Sequence, residues 1–172
     1  MPNIILVGFM GTGKTTVGRM ISRRLGMTYV DTDTVVEQTT GHCITDLFAQ
    51  HGESYFRELE SEAVLKVSDL DGHVISTGGG VVLRTKNLKI LKRNGVVFCL
   101  TATSEEIWKR VKNGTHRPLI NAPNPVEKIR DMLREREANY ALADHMICTD
   151  NSSIERVTME VIRVFRDAIN SG

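Results

Sequence analysis

The residues of this chain best equipped for chemistry are Gly8-Phe9-Met10-Gly11-Thr12-Gly13-Lys14-Thr15, which match the pattern Gly-x-x-x-x-Gly-Lys-Ser/Thr at every fixed position. An apolar run, Ile4-Ile5-Leu6-Val7, comes just before them, and a helix-like run from Lys14 to Leu25 follows. Strand, glycine loop and helix in that order form the context in which the pattern cradles phosphate. Gly8, Gly11 and Gly13 lack Cβ atoms, so the backbone can turn sharply and lie close to an anion. Its N–H groups then point inward at a helix N-terminus that carries about half a positive charge. From this loop Lys14 reaches β- and γ-phosphates, and the Thr15 hydroxyl can ligate Mg²⁺. A mere glycine turn is disfavoured because all the fixed positions and both flanks fit.

Further groups with chemical potential lie along the chain. Asp31 and Asp33 close a short strand, Met27 to Val30. If the backbone stays extended, both carboxylates face one way, toward the crevice at the carboxyl end of a parallel strand. Two readings stand for them: metal-bound water and an acceptor hydroxyl, or helix capping, since Thr34-x-x-Glu37 is a capping box. Gly78-Gly79-Gly80 follow a third strand, His73 to Thr77. Three glycines there suit bare backbone lying against a ligand better than a slack loop. Arg57 and Glu60 are three apart on a helix, a spacing usually seen in surface ion pairs of little weight. The segment Lys112 to Asn124 holds Gly114, Pro118 and Pro123 together with Lys112, His116 and Arg117. A loop of that length inside a domain is usually a lid or a disordered segment; as a lid, its cation can close over a phosphate.

Alternating elements must position these groups. Val17, Met20, Ile21 and Leu25 keep helical spacing, and Gly26 is the expected C-cap. Arg19, Arg23 and Arg24 fall on the opposite face and read as solvated. A short helix lies between Gly41 and Gly52, and a longer one, Glu53 to Val67, turns Phe56, Leu59, Ala63 and Val67 inward. Leu83 to Arg93 is a helix closed by Asn94-Gly95, and Val96 to Leu100 is the fourth strand. Thr103-x-x-Glu106 opens a helix containing Trp108, which reads as core filler. Pro125 to Ala141 is a charged helix, Asp144 to Thr149 holds the fifth strand, and Ser152-x-x-Glu155 opens the last helix. Five strand–helix alternations predict an α/β protein with a parallel sheet covered on both faces.

Composition narrows the class. The chain has 172 residues and a net charge of +1, which suits one domain with a substantial core. No basic tail and no stacked aromatic set suggests a nucleic-acid partner. Three cysteines, Cys43, Cys99 and Cys148, are widely spaced and point to neither a disulfide framework nor zinc. Cys99 and Cys148 fall in apolar runs and are expected in the core. The five histidines show no ligand spacing. No run approaches the roughly 20 apolar residues of a membrane span, and a core strand begins within three residues of Met1. The expected compartment is the cytosol, and no spare apolar stripe calls for a second subunit, so a monomer is expected.

Taken together, the loop at Gly8 to Thr15, Asp31-Thr32-Asp33, Phe56-Arg57-x-x-Glu60, Gly78-Gly79-Gly80, Arg117-Pro118-Leu119 and Arg136-x-x-x-Tyr140 resemble the shikimate kinases in order and spacing. The resemblance covers essentially the whole chain. The loop alone is shared by many nucleotide enzymes, whereas Phe-Arg-x-x-Glu with the triple glycine is much narrower. It implies a three-layer, P-loop NTPase fold of nucleoside-monophosphate-kinase type, with a five-stranded parallel sheet in the order 2-3-1-4-5. It implies one kinase domain over 1–172, with a substrate-binding helical segment at about 32–60 and a lid at about 112–124. The implied reaction moves the γ-phosphoryl group of ATP to the 3-hydroxyl of shikimate.

Carried over by position, Gly11, Thr12, Gly13, Lys14, Thr15 and Thr16 would hold the ATP phosphates, with Arg110 near the adenine and Arg117 as the lid arginine. Thr15 would hold Mg²⁺, with Asp31 behind a water. Asp33, Arg57, Gly79 and Arg136 would bind shikimate. Lys14, Asp33 and Arg117 would be the catalytic set, Asp33 either taking the hydroxyl proton or orienting the hydroxyl. The chemistry agrees: guanidinium groups grip a carboxylate, while hydroxyls need an acceptor and an N–H donor. Glu60 then gains a second reading, as the group that orients Arg57. A kinase of another polyol acid such as gluconate is the rival of the same class. A nucleotide-dependent switch or binding module is the rival of another class, disfavoured because no Asn-Lys-x-Asp motif occurs. A motor-type ATPase is disfavoured because no apolar strand ends in Asp-Glu.

Overall fold

Short apolar runs bury fully only when both faces of the sheet are covered, and this chain builds that arrangement. A computed structural model describes residues 1–114 and 122–170. Strands β1 (Asn3–Val7), β2 (Thr28–Asp31), β3 (His73–Ser76), β4 (Gly95–Thr101) and β5 (His145–Cys148) pair in the order β2-β3-β1-β4-β5, all parallel. In register, Ile5 of β1 lies between Ile75 of β3 and Val97 of β4. Every residue of β1 is buried.

Period-two alternation divides the core. Ile5, Val7, Ile75, Val97 and Cys99 face one layer, built by α3 (Ile44–Ser68), α4 (Thr85–Leu91), α5 (Ser104–Val111) and α6 (Pro125–Tyr140). Ile4, Leu6, Val74, Phe98, Leu100 and Ile147 face the other, built by α1 (Lys14–Leu25) and α7 (Ile154–Asn170). A separate small cluster, Val36, Leu47, Phe56 and Ala63, joins α2 (Thr32–Thr40) to α3. None of the described helices is long and apolar enough to cross a membrane.

Parallel order sends the carboxyl ends of all five strands to one edge. The chain leaves β1 toward β2 and β3 on one side, and β4 and β5 lie on the other, so the crevice opens beside β1. The glycine loop, the triple glycine and Thr149 follow strands at that edge, and Asp31 ends β2 there.

Local expectations are corrected at four places. The N-cap of α2 is Asp31, whose Oδ1 accepts the N–H of Asp33; Thr34 lies inside the helix. The strand runs straight into the helix, so the first available cap is the strand's last residue. The Ser153 hydroxyl, not that of Ser152, accepts an N–H in the first turn of α7, from Arg156. The expected helix from Leu83 to Arg93 is shorter, with 3₁₀ turns at Val81–Leu83 and Lys92–Asn94 on either side of α4. Cys99 is buried, but Cys148 is exposed because β5 is an edge strand. The break at Gly52 does appear within α3, with φ 80° and ψ 176°.

Candidate active site

The loop after β1 turns on Gly8, Gly11 and Gly13, all with positive φ, and Gly13 caps α1 in the left-handed conformation. Lys14 folds back so that Nζ donates to the carbonyls of Gly8 at 2.8 Å and Phe9 at 3.0 Å. Its ammonium is thereby held at the loop mouth. The Thr12 hydroxyl donates to Phe9 O at 2.8 Å, so this side chain braces the loop from inside. Thr15 and Thr16 are exposed on the first turn of α1 and line a cavity of about 530 Å³.

The far wall of that cavity comes from β2, β3, α3 and α6. Thr32 is fully buried, and its hydroxyl accepts the N–H of Gly78 at 3.2 Å. Val81 N–H donates to Gly78 O, and Leu83 N–H to Gly80 O. The triple glycine is therefore a pinned loop, not a slack one. Arg57 is buried, with Nη1 on Glu60 at 2.9 Å, Nη2 on Glu53 at 3.0 Å and Nε on Glu53 at 3.3 Å. Its guanidinium lies flat against Gly80, where a Cβ would collide with both terminal nitrogens. Arg136 is also buried; Nη1 donates to Gly79 O at 3.1 Å and the group sits 5.3 Å from the Phe9 ring centroid. Among the described residues it has no ion-pair partner. Tyr140 Oη donates to the same Gly79 carbonyl.

Two acceptors in this wall are unsatisfied. Asp33 Oδ1 and Glu60 Oε1 are buried and lack hydrogen-bond partners among the described residues. A Cβ on Gly78 would lie 2.7 Å from the first and 2.8 Å from the second. Both oxygens thus face one space that only a glycine leaves open. Buried acceptors are nearly always partnered, so such a pair calls for hydroxyl or water donors.

The electrostatics follow from this crowding. Burial, then the charges of Asp31 and Glu60, push the Asp33 carboxyl up to about 7, with Lys14 pulling the other way. Burial also raises Glu60, against the pull of Arg57. Burial works against the Arg57 charge as well, but Glu60 and Glu53 outweigh it and hold the guanidinium charged. For Glu60, burial and the pairing oppose each other; the 2.9 Å contact favours the ionised pair.

Most residues singled out from the sequence meet in this cavity. Gly11, Gly13, Lys14, Thr15, Thr16, Asp31, Asp33, Arg57, Gly79 and Arg136 all line it. Thr12 does not, being turned into the loop. Arg110 stands outside the lining, clamped by Glu106, Thr149 and the Gly11 carbonyl. Arg117 lies outside the described residues, as does the middle of the expected lid. The Arg57–Glu60 pair is buried, so the surface reading is corrected. The capping reading holds, through Asp31 itself, and Asp31 also lines the cavity. Sequence reasoning missed Thr45, and it missed Ile44 and Phe48, which supply an apolar wall. Their helical spacing gave only a core signal.

Divalent-cation chemistry fits the donors present. Mg²⁺ keeps several waters and takes one or two protein oxygens plus substrate phosphates. The Thr15 hydroxyl and the Asp31 carboxylate offer that set at the phosphate loop, and no all-protein cage of His, Cys, Asp and Glu exists among the described residues.

A phosphate loop on the central strand, facing a cavity of buried arginines and carboxylates, defines a P-loop protein of the small-molecule kinase type. A family profile described as shikimate kinase matches residues 10–166. The shikimate kinase of Thermodesulfovibrio yellowstonii is 44% identical over 170 residues, covering 99% of this chain and 98% of its own. That of Caldanaerobacter subterraneus subsp. tengcongensis is 46% identical over 165 residues, covering 96% of each. The solved structure of shikimate kinase from Acinetobacter baumannii in complex with shikimate superposes with a TM-score of 0.92 at 33% identity, covering 98% of this chain and 94% of that one. The chain belongs to the shikimate kinase family.

Asp33 carries a stability cost that can be measured. Its folded pKa of about 7 exceeds the unfolded value, so the folded chain holds an extra proton between about pH 4 and pH 7, and stability falls as pH rises through that window. Asp33→Asn should therefore stabilise the fold on the order of 2 kcal/mol more at about pH 8 than at about pH 5. Urea unfolding at the two pH values checks this; equal effects would mean that Asp33 has an ordinary carboxyl.

Proposed function

We propose that the protein transfers the γ-phosphoryl group of ATP to the 3-hydroxyl of shikimate, giving ADP and shikimate 3-phosphate. The observation that carries this reading is the pair of buried guanidinium groups, Arg57 and Arg136, lining the same cavity as the phosphate loop. Shikimate is a small ring with one carboxylate and three hydroxyls. Its carboxylate takes Arg57 and Arg136, which offer planar, charge-assisted N–H donors. Its hydroxyls take the Asp33 carboxylate and the Gly79 N–H. Residues 32–60 form the substrate-binding segment.

On the other side, the N–H groups of Gly11 to Thr16 and the Lys14 ammonium hold the ATP phosphates. Arg110, beside the loop, serves the adenine end. Thr15 and, through water, Asp31 hold Mg²⁺, which when bound offsets negative charge on the β- and γ-phosphates. Asp33 orients the 3-hydroxyl and accepts its proton; a carboxyl near pKa 7 suits that task at neutral pH. Lys14 stabilises charge on the transferring group. Arg117, assigned from sequence alone, joins it from the 112–124 lid and helps exclude water. The enzyme acts as a cytosolic monomer, without a nucleic-acid or membrane partner.

The test is an acceptor panel: ADP release from ATP and Mg²⁺ with shikimate, with gluconate and with neither. Strong stimulation by shikimate is expected. Stimulation by gluconate alone would make this a kinase of another polyol acid, and nucleotide binding without turnover on any acceptor would make it a binding module.

Gly80 gives a second test, because it meets the Arg57 guanidinium without lying in a left-handed conformation (φ −104°). Gly80→Ala should keep ADP affinity and the far-ultraviolet spectrum while weakening shikimate binding at least about tenfold, the Arg57 group being pushed off the cavity wall. Unchanged shikimate affinity in calorimetry would remove Arg57 from the acceptor site.

A further inference from the structure

Tyr29 lies on β2 two residues before Asp31, so both side chains project from the same face of the strand. Its ring is seated on α1 at Gly18. A Cβ there would come within 2.8 Å of ring atom Cε2 and 3.1 Å of Leu6 Cδ1, so only glycine allows so close an approach. The Arg19 guanidinium lies 5.6 Å from the ring centroid. This seating aims the phenol at the phosphate-loop side of the cavity. Tyr29 Oη donates to Asp31 Oδ2 at 3.0 Å, while Asp31 Oδ1 accepts the N–H of Asp33 at 3.0 Å. The Asp31 carboxylate is therefore gripped on both oxygens, once by backbone and once by the phenol.

The phenol hydroxyl thus donates to Asp31, one of the two groups assigned to the cation. A purely structural tyrosine would fill the groove over Gly18 equally well as phenylalanine. It would have no reason to put a hydroxyl on a carboxylate that already has a backbone donor.

We propose that Tyr29 is a positioning residue for the divalent-cation site, its hydroxyl fixing the orientation in which Asp31 meets the cation's water beside Thr15. This rests on the reading of Thr15 and Asp31 as the Mg²⁺ groups. Outer-shell partners of ligating groups commonly matter to affinity nearly as much as the ligands.

Tyr29→Phe keeps the ring on Gly18 and the Arg19 contact and removes only the hydroxyl. ADP binding is measured by calorimetry at a series of Mg²⁺ concentrations for the parent protein, Tyr29→Phe and Asp31→Asn. Tyr29→Phe should raise the Mg²⁺ concentration giving half of the Mg²⁺-dependent gain in ADP affinity by about three- to tenfold. ADP affinity without Mg²⁺ should stay at the parent value. Unaltered Mg²⁺ dependence in Tyr29→Phe, with a clear shift in Asp31→Asn, would overturn the role of Tyr29 alone. Unaltered dependence in both would overturn the Asp31 assignment and this proposal with it. Loss of ADP affinity in the absence of Mg²⁺ would show that Tyr29 supports the loop rather than the cation, and would also overturn it.

Discussion

The ion pair between Arg57 and Glu60 is the constraint on which the site depends. Both groups are buried, at 8% and 1% relative exposure. Removing two charges from water costs several kcal/mol per ion, and their attraction repays it only with good geometry and further hydrogen bonds. Such a pair is therefore a poor device for stability. It is a good device for holding a cation still. Glu60 and Glu53 fix the guanidinium from two sides, and Gly80 lets it lie flat against the backbone. Among the described residues three of the five N–H groups of an arginine are taken in this way, leaving the remainder for a ligand. A small anion then meets a group that has already lost its freedom, so little ordering remains to be done on binding.

Around that pair the sheet assembles complementary charges from distant parts of the chain. β1 contributes the loop and Lys14, β2 the aspartates, β3 the bare glycines, and α3 and α6 the arginines. Three basic side chains, Lys14, Arg57 and Arg136, face three acidic ones, Asp31, Asp33 and Glu60, across one cavity. The acids are not simple counter-ions. Glu60 fixes an arginine, Asp31 caps a helix while lining the cavity, and Asp33 is left without a partner for one oxygen among the described residues. That unmet oxygen and its raised pKa have the same cause, burial beside like charges. The burial that raises the Asp33 pKa is also what lowers stability at neutral pH.

What could be read from the sequence was what local spacing encodes. The loop at Gly8 to Thr15 shows itself because each residue type is demanded by phosphate, and the strands because parallel sheets bury continuous apolar runs. Boundaries slipped where a local rule met a tertiary one. Asp31, not Thr34, caps α2 because the strand leads directly into the helix, and Cys148 is exposed because β5, at the sheet edge, has no neighbouring strand on its outer side. Arg57 and Glu60 at a three-residue spacing look like any surface pair; only the approach of α3 to the glycine loop after β3 buries them. Tyr29 gave no signal beyond a strand residue, since its role needs Gly18 of another element. The resemblance to shikimate kinases closed much of this gap for Arg57 and Arg136, whose meeting across 79 positions no periodicity announces.

The claim at the centre is that two buried guanidinium groups recognise a carboxylate on the acceptor. Its most direct measurement is a calorimetric comparison of shikimate with its methyl ester, which keeps the ring and the hydroxyls and loses the charge. The ester should bind at least about thirtyfold more weakly, because it leaves Arg57 and Arg136 buried without an anion. Equal affinity for acid and ester would contradict the account.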